Sequence, residues 1–285
     1  MLTPRGSGWL AIPLLVALAG CAGVAANAEQ RSRVKCGYVP PPDGFVVPGR
    51  VVLLGEFHGT RELPEAFGEL VCHAASGAPV RVGLPLPQGE AERLERFFSL
   101  PNPSDRDALL RGSPFWTSPR QDGRSSRAML TLLTRLGKLK AAGLPVQVFA
   151  FDADPPLGPD REQRMADTVA AEAHADPDGR MLLLTGSLDA RTAPGGPDPA
   201  WRSMGALLAE AGLDVVAFDF GGPPGTAWSC QDQDPAHCGG GTLQPGNPPG
   251  PPGLAPLPRP TPEGFAGRWS VPSLTASPPA YGETP

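Results

Sequence analysis

Several features that would name a function outright are missing from this sequence. There is no Gly-x-Ser-x-Gly elbow, which argues against a serine hydrolase of the α/β type. There is no Gly-x-Gly-x-x-Gly and no P-loop, which argues against nucleotide binding. Positive charge is in deficit, with a formal net charge of −5 over 285 residues, so nucleic acid is not an expected partner. Histidine is scarce at four, His58, His73, His174 and His237, so imidazole chemistry is confined to few positions. The apolar stretch from Trp9 to Ala19 is too short to stay in a bilayer as a spanning helix.

Glycine and proline are what the chain has in excess, 36 and 38 respectively, more than a compact domain usually carries. They are unevenly placed, with 28 of them in residues 221–285. The first 220 residues can build a core. The last 65 are expected to hold little regular structure, with Asn247 to Pro262 extended as a spacer and Trp269 to Ala280 returning as an edge strand.

The N-terminus, residues 1–20, reads as a secretory signal: Arg5, then the apolar stretch, then small residues. It ends Leu18-Ala19-Gly20-Cys21, which resembles the bacterial lipoprotein cleavage box. Cys21 would then carry the acyl chains, and several chains give stable anchoring. Ala22 after the cysteine points to the outer membrane by the lipoprotein sorting rule. The expected location is therefore the bacterial cell envelope, with the membrane as a partner through Cys21. Residues 21–49 form a tether and lead-in segment, broken by Pro40-Pro41-Pro42 and Pro48-Gly49. Export leaves four cysteines in an oxidising compartment, which suggests two disulfides. Local pairing gives Cys36–Cys72 and Cys230–Cys238. A metal site at Cys230, His237 and Cys238 is the rival reading, but its ligand spacing is poor and it lacks an obvious fourth ligand.

Residues 50–220 alternate short apolar runs with amphipathic segments. Strands are expected at 51–54, 79–84, 146–151, 181–184 and 215–218. Helices are expected from Pro64 on, at 88–98, 105–111, from Ser125 or Ser126 to Ala142, at 160–175 and at 204–211. That order defines an α/β domain: a mainly parallel sheet with helices on both faces, followed by the Pro/Gly-rich C-terminal extension.

The chain is organised around residues 50–65. Val51 to Leu54 suits a buried strand. It stops at Gly55, and Glu56, His58, Arg61, Glu62 and Glu65 follow before the first helix is under way. This cluster sits at a strand's carboxyl end, where open α/β sheets place their sites. Glu56 and His58 are two apart and project to one side of an extended loop. Asp122, Arg124, Asp152, Asp154 and Asp189 occupy other loops expected at the same edge. A neutral imidazole beside a carboxylate can take a proton from water.

The string Gly55-Glu56-x-His58-Gly59-Thr60-x-Glu62 resembles the first motif of the erythromycin-esterase-like, haem-binding ChaN-like and Tiki/TraB-like group of α/β proteins. The match is close over that motif and loose over residues 50–220. In the resembling esterases the motif histidine is the base that activates water. In the Tiki-like proteins the motif contributes to a metal site, and the ChaN-like lipoproteins bind haem. The resemblance therefore implies a His-dependent hydrolase of esters or lactones, with a small-molecule substrate and Glu56, His58, Glu62, Arg124, Asp152 and Asp189 as site residues. Its alternative is a non-catalytic lipoprotein in which His58 holds haem, a divalent metal or another ligand. The sequence also departs from the group. Pro85 follows the second strand where relatives carry glutamate. Gly186-Ser187-Leu188-Asp189 stands where relatives carry Gly-Asn-x-His, so a second histidine is missing. Asp189 cannot replace imidazole as a base near neutral pH without a raised pKa.

Overall fold

The computed structural model describes residues 34–37, 40–155, 157–196, 198–232 and 234–282. The signal segment and Cys21 lie outside them.

A seven-stranded sheet forms the centre. Its strands are β1 (Arg50–Glu56), β2 (Val80–Pro87), β3 (Val146–Asp152), β4 (Arg180–Gly186), β5 (Asp214–Gly221), β8 (Gly253–Pro256) and β9 (Gly267–Ser270). In space the order is β3-β2-β4-β1-β5-β9-β8. All neighbours are parallel except β8 and β9. A separate antiparallel pair is formed by β6 (Gly225–Cys230) and β7 (Cys238–Leu243).

The pleat explains why β1 and β4 read as unbroken apolar runs. Val52 and Leu54 of β1, with Leu182 and Leu184 of β4, enter one core. Val51, Leu53, Met181 and Leu183 enter the other. Successive side chains point to opposite faces, and both faces are covered. The first core receives Leu63, Phe67, Leu70 and Val71 of α1 (Glu62–Gly77) and Met129, Leu132, Leu133 and Leu136 of α5 (Arg127–Ala141). Between them in sequence lie α2 (Ala91–Ser99), α3 (Pro103–Arg111) and the one-turn α4 (Pro114–Thr117). The second core is closed by Met165 and Val169 of α6 (Arg161–Ala175) and Met204 and Leu208 of α7 (Met204–Glu210). Ser126 caps α5, its hydroxyl accepting from the Met129 N–H at 3.4 Å. No helix among the described residues is long and apolar enough to cross a membrane.

Beyond Gly221 the expectation of little regular structure does not hold. Trp228, Leu243, Leu254, Phe265, Trp269, Val271, Leu274 and Tyr281 are all buried. These apolar residues, spaced through a Pro/Gly-rich stretch, give it enough surface to bury. Strand β9 pairs in parallel with β5 and is interior, while β8, from the proline-rich run, forms the edge. Trp269 is fully buried and its indole N–H donates to the Gly55 carbonyl at 2.6 Å.

Both expected disulfides are present, Cys36–Cys72 tying the lead-in to α1 and Cys230–Cys238 closing the β6–β7 hairpin. The second corrects the rival metal reading: both sulfurs are consumed, and His237 bonds Asp232 through Nδ1 at 2.8 Å.

Candidate functional site

Strand β1 ends at Glu56, and the loop Phe57–Arg61 carries His58 over the carboxyl edge of the sheet. The Glu56 side chain is only 3% exposed, and its Oε1 lies 2.9 Å from Nδ1 of His58. With Nδ1–H donated to this carboxylate, the lone pair of the neutral ring sits on Nε2. Nε2 has no hydrogen-bond partner among the described residues, and about a fifth of the His58 side chain, 21%, remains exposed to solvent. Burial works against the imidazolium, but the Glu56 hydrogen bond and the charges of Glu56 and Asp122 outweigh it, so the His58 pKa stands above its ordinary value. Glu56 Oε2 is buried without a partner among the described residues.

Two glycines let this loop sit where it does. Gly59 has φ +79° and Gly123 has φ +100°, and a Cβ on either would collide with backbone, of Trp228 and of Gly59 respectively. The loop Asp122–Arg124 can thereby rest directly on His58 and Gly59. Gly186, the last residue of β4, is a third close approach. A Cβ there would stand 2.9 Å from Asp189 Oδ2 and 3.4 Å from His58 Nε2. Its missing side chain is the space in which the imidazole and Asp189 face each other.

Around this point runs an alternating chain of ions. Arg124 Nη2 donates to Asp122 Oδ2 at 2.8 Å, and its Nη1 donates to Asp152. Arg161, at the start of α6, donates to Asp152 through Nε and Nη2 at 2.9 and 3.0 Å. It reaches Asp189 through Nη1 at 3.2 Å and Glu162 through the same nitrogen at 3.1 Å. Asp152 is completely buried, which its two guanidinium partners make tolerable. Burial alone would raise the Asp122 carboxyl, but Arg124 holds it well below the usual carboxylate range. Burial would lower Arg161, but Asp189 and Asp152 keep it firmly charged. Glu162 moves the other way: burial and the adjacent Asp189 charge push it well above the carboxylate range. A second cluster adjoins, with Ser187 Oγ donating to Asp219 and Asn247 Nδ2 donating to Asp219 at 2.6 Å.

A cleft of about 600 Å³ opens beside Asp122 and Arg124, walled by Phe115, Leu157, Arg120 and Asp154. Trp116, the neighbour of Phe115, is buried in the core instead. Asp154 holds the Gly89 N–H at 2.7 Å.

The geometry thus gathers Glu56, His58, Arg124, Asp152 and Asp189. Glu62 is not among them. Helix α1 begins at Glu62, and its carboxylate is turned to the C-terminal segment. It accepts from the Thr275 N–H and Oγ1, both at 2.8 Å, from Ser273 Oγ at 3.3 Å and from Arg61 at 2.8 Å. Arg161, Glu162 and Gly186 were not singled out from sequence. Asp152 and Asp189, two acids bound for a buried edge, gave an indirect signal, because they require cations, and the first turn of the next helix supplies one.

The donors present do not suit a divalent metal. Among the described residues no group of three or more His, Cys, Asp or Glu side chains could hold an ion, and Asp122, Asp152 and Asp189 are committed to arginines. Haem fits no better, since His58 Nε2 opens onto Gly186 and an acid rather than an apolar slot.

Comparison with known proteins bears on the fold. No known family's sequence profile matches the chain, and no curated protein does. Solved structures do. The chain is similar to an erythromycin esterase in its open conformation, with TM-score 0.62 and 13% identity over 81% of this chain and 92% of that one. It is similar to a succinoglycan biosynthesis protein, with TM-score 0.57 and 9% identity over 81% and 89%. A Bacillus cereus protein gives TM-score 0.54 and 11% identity over 84% and 92%. At such identities the likeness shows the fold alone, an α/β fold like that of the erythromycin esterase.

Proposed function

We propose that the protein is a lipid-anchored hydrolase of the cell envelope that cleaves esters or lactones with His58 as general base. The observation that carries this reading is the Glu56–His58 pair, bonded at 2.9 Å through Nδ1 with Nε2 left open. Such a pair fixes the tautomer and stabilises the imidazolium formed when water gives up its proton. Water held at Nε2 would attack the carbonyl carbon, and its proton would pass to Nε2. The positive charge of Arg124, already felt at His58, would offset the oxyanion. The substrate body would lie in the cleft walled by Phe115 and Leu157. Net charge −5 keeps nucleic acid out of the reading.

The location part of the proposal rests on Cys21 in its lipoprotein-like box and on the two disulfides, which suit an oxidising compartment.

The absence of a second histidine beside His58 favours one other reading, a ligand-binding lipoprotein without turnover. One experiment separates them. The purified full chain is assayed on a panel of aliphatic esters and macrocyclic lactones, with His58→Ala and Glu56→Gln alongside, and the same samples are titrated with haem and a small-ester analogue. Hydrolysis that falls on the order of 10²-fold or more in both variants supports the base. Binding that depends on His58, with no hydrolysis in the wild type, gives the binding reading instead.

A further inference from the structure

A water-activating base leaves one task undone: the departing alkoxide needs a proton. Asp189 is the acid that faces the base across Gly186. Its Oδ2 and His58 Nε2 face the same empty point above Gly186, at 2.9 and 3.4 Å from it. Asp189 does not stand alone. Its Oδ1 and Glu162 Oε1 accept from the same nitrogen, Arg161 Nη1, at 3.2 and 3.1 Å, and both groups are buried, at 8% and 9% exposure. The groups facing them are few. Arg161 bonds both carboxyls from α6. Asp152, at the end of β3, shares that arginine and leads to Arg124. The Met204 N–H donates to Glu162 Oε2 at 2.8 Å from α7, and His58 closes the ring on the solvent side. Arg161 cannot neutralise three carboxylates. Two carboxyl groups held on one guanidinium nitrogen in a buried site share a proton rather than both ionise. The displaced Glu162 titration agrees with that sharing.

We infer that Asp189 and Glu162 form an acid–carboxylate pair that protonates the leaving group, Asp189 handing the proton over and Glu162 holding it. The inference rests on the hydrolase reading of His58. In the first step the water O–H bond breaks toward Nε2, the new C–O bond forms and the carbonyl electron pair moves to oxygen. In the second the oxyanion pair returns, the C–O bond to the alcohol breaks, and the alkoxide takes the proton of the pair. Solvent then carries the proton from His58 back to the pair, so one ester and one water give one acid and one alcohol. Asp189 is the catalytic residue of the two, and Glu162 is a positioning residue that acts through it.

Two measurements on the full chain test this. Infrared difference spectra at neutral pH should contain the C=O stretch of a buried protonated carboxyl in the wild type, absent from Glu162→Gln and shifted in Asp189→Asn. The same spectra report whether each isosteric variant keeps its fold. Identical spectra for wild type and Glu162→Gln overturn the inference whatever the activity. The second measurement uses two esters of one acid, one with an alkyl alcohol and one with a nitrophenol, which leaves without protonation. Glu162→Gln should lower kcat for the alkyl ester on the order of 10²-fold, barely change it for the nitrophenyl ester, and remove the alkaline limb of the alkyl-ester pH profile. Equal losses on both esters assign the pair a structural role and overturn the proposal. A carboxyl band without turnover of any ester in the wild type removes the hydrolase reading, and the proton delivery with it.

Discussion

The backbone N–H of Trp228 donates to the carbonyl of Gly59 at 2.9 Å, one residue past His58. The indole of the same tryptophan donates to the Gln121 carbonyl at 3.0 Å, one residue before Asp122. One residue of the β6–β7 hairpin therefore spans the two loops that frame the imidazole.

Gly59→Ala should be severely destabilising. The residue would have to hold φ +79° and its Cβ would meet the Trp228 backbone. The left-handed conformation alone costs roughly 1–2 kcal/mol for a residue with a Cβ, and the collision adds to it. Urea unfolding should give a loss of at least about 2 kcal/mol; an unchanged midpoint would contradict the close approach.

The His58 pKa is raised in the folded protein above its ordinary value of 6.5, because the Glu56 carboxylate outweighs the cost of burial. The sign follows by linkage: the stability this gives is fully present below about pH 6.5 and is lost as pH rises through the folded pKa. The stability advantage of wild type over His58→Gln should therefore be larger at pH 6 than at pH 9. Proton NMR should find the imidazole titrating above its usual range in wild type and lower in Glu56→Gln. A titration unmoved by Glu56→Gln would refute the pair.

Trp269→Ala should cost about 3–5 kcal/mol, the range for removing a large buried aromatic side chain. It removes a fully buried ring and leaves the Gly55 carbonyl without its indole donor. The measurement is the same denaturant series, and a loss under about 1 kcal/mol would mean that β9 does not pack as described.

Non-reduced peptide mapping of exported protein should find Cys36 joined to Cys72 and Cys230 to Cys238. By chain entropy the longer closure contributes on the order of 4 kcal/mol and the shorter about 2–3 kcal/mol. Cys36→Ser with Cys72→Ser should accordingly lower thermal stability more than Cys230→Ser with Cys238→Ser. Free thiols at all four positions would remove both bridges.

Cys21→Ser should leave the chain unprocessed or released from the membrane fraction. If the variant is processed and partitions like wild type, the anchor is elsewhere.

How much of this was legible in the sequence depends on which force decided each feature. Local patterns gave the five core strands and their helices, because a buried parallel strand such as Val51 to Leu54 must be apolar on both faces, and because Ser126 marks a helix start chemically. The Glu56–His58 pairing was legible from a spacing of two. The Arg161 bridge to Asp189 was not, since it joins a helix N-terminus to a loop that only the sheet order brings near. Glu62 misled for the opposite reason: its position in the motif suggested the site, but Thr275, more than two hundred residues on, took its carboxylate. Strands β6, β7 and β8 were missed, and β9 was expected at the edge rather than inside the sheet, because proline and glycine content speaks of backbone freedom, whereas Trp269, Leu254 and Tyr281, each buried, speak of burial.

The His58 loop is fastened from the far end of the chain. The Ser277 N–H joins that of Trp228 on the Gly59 carbonyl, at 2.7 Å, and the Ala280 N–H reaches the Ser125 carbonyl at 3.0 Å. A ribosome builds the motif well before these clasps. The sheet from β1 to β5 can collapse while synthesis continues, but the Gly59 carbonyl gains its second donor only when Ser277 arrives. Contacts so distant in sequence form late, after the loop entropy between them has been surrendered. Competence then waits on residues far downstream of the motif: a polypeptide cut short before Trp269 would keep Glu56 and His58 in its sequence and lack the Ser277 and Ala280 contacts.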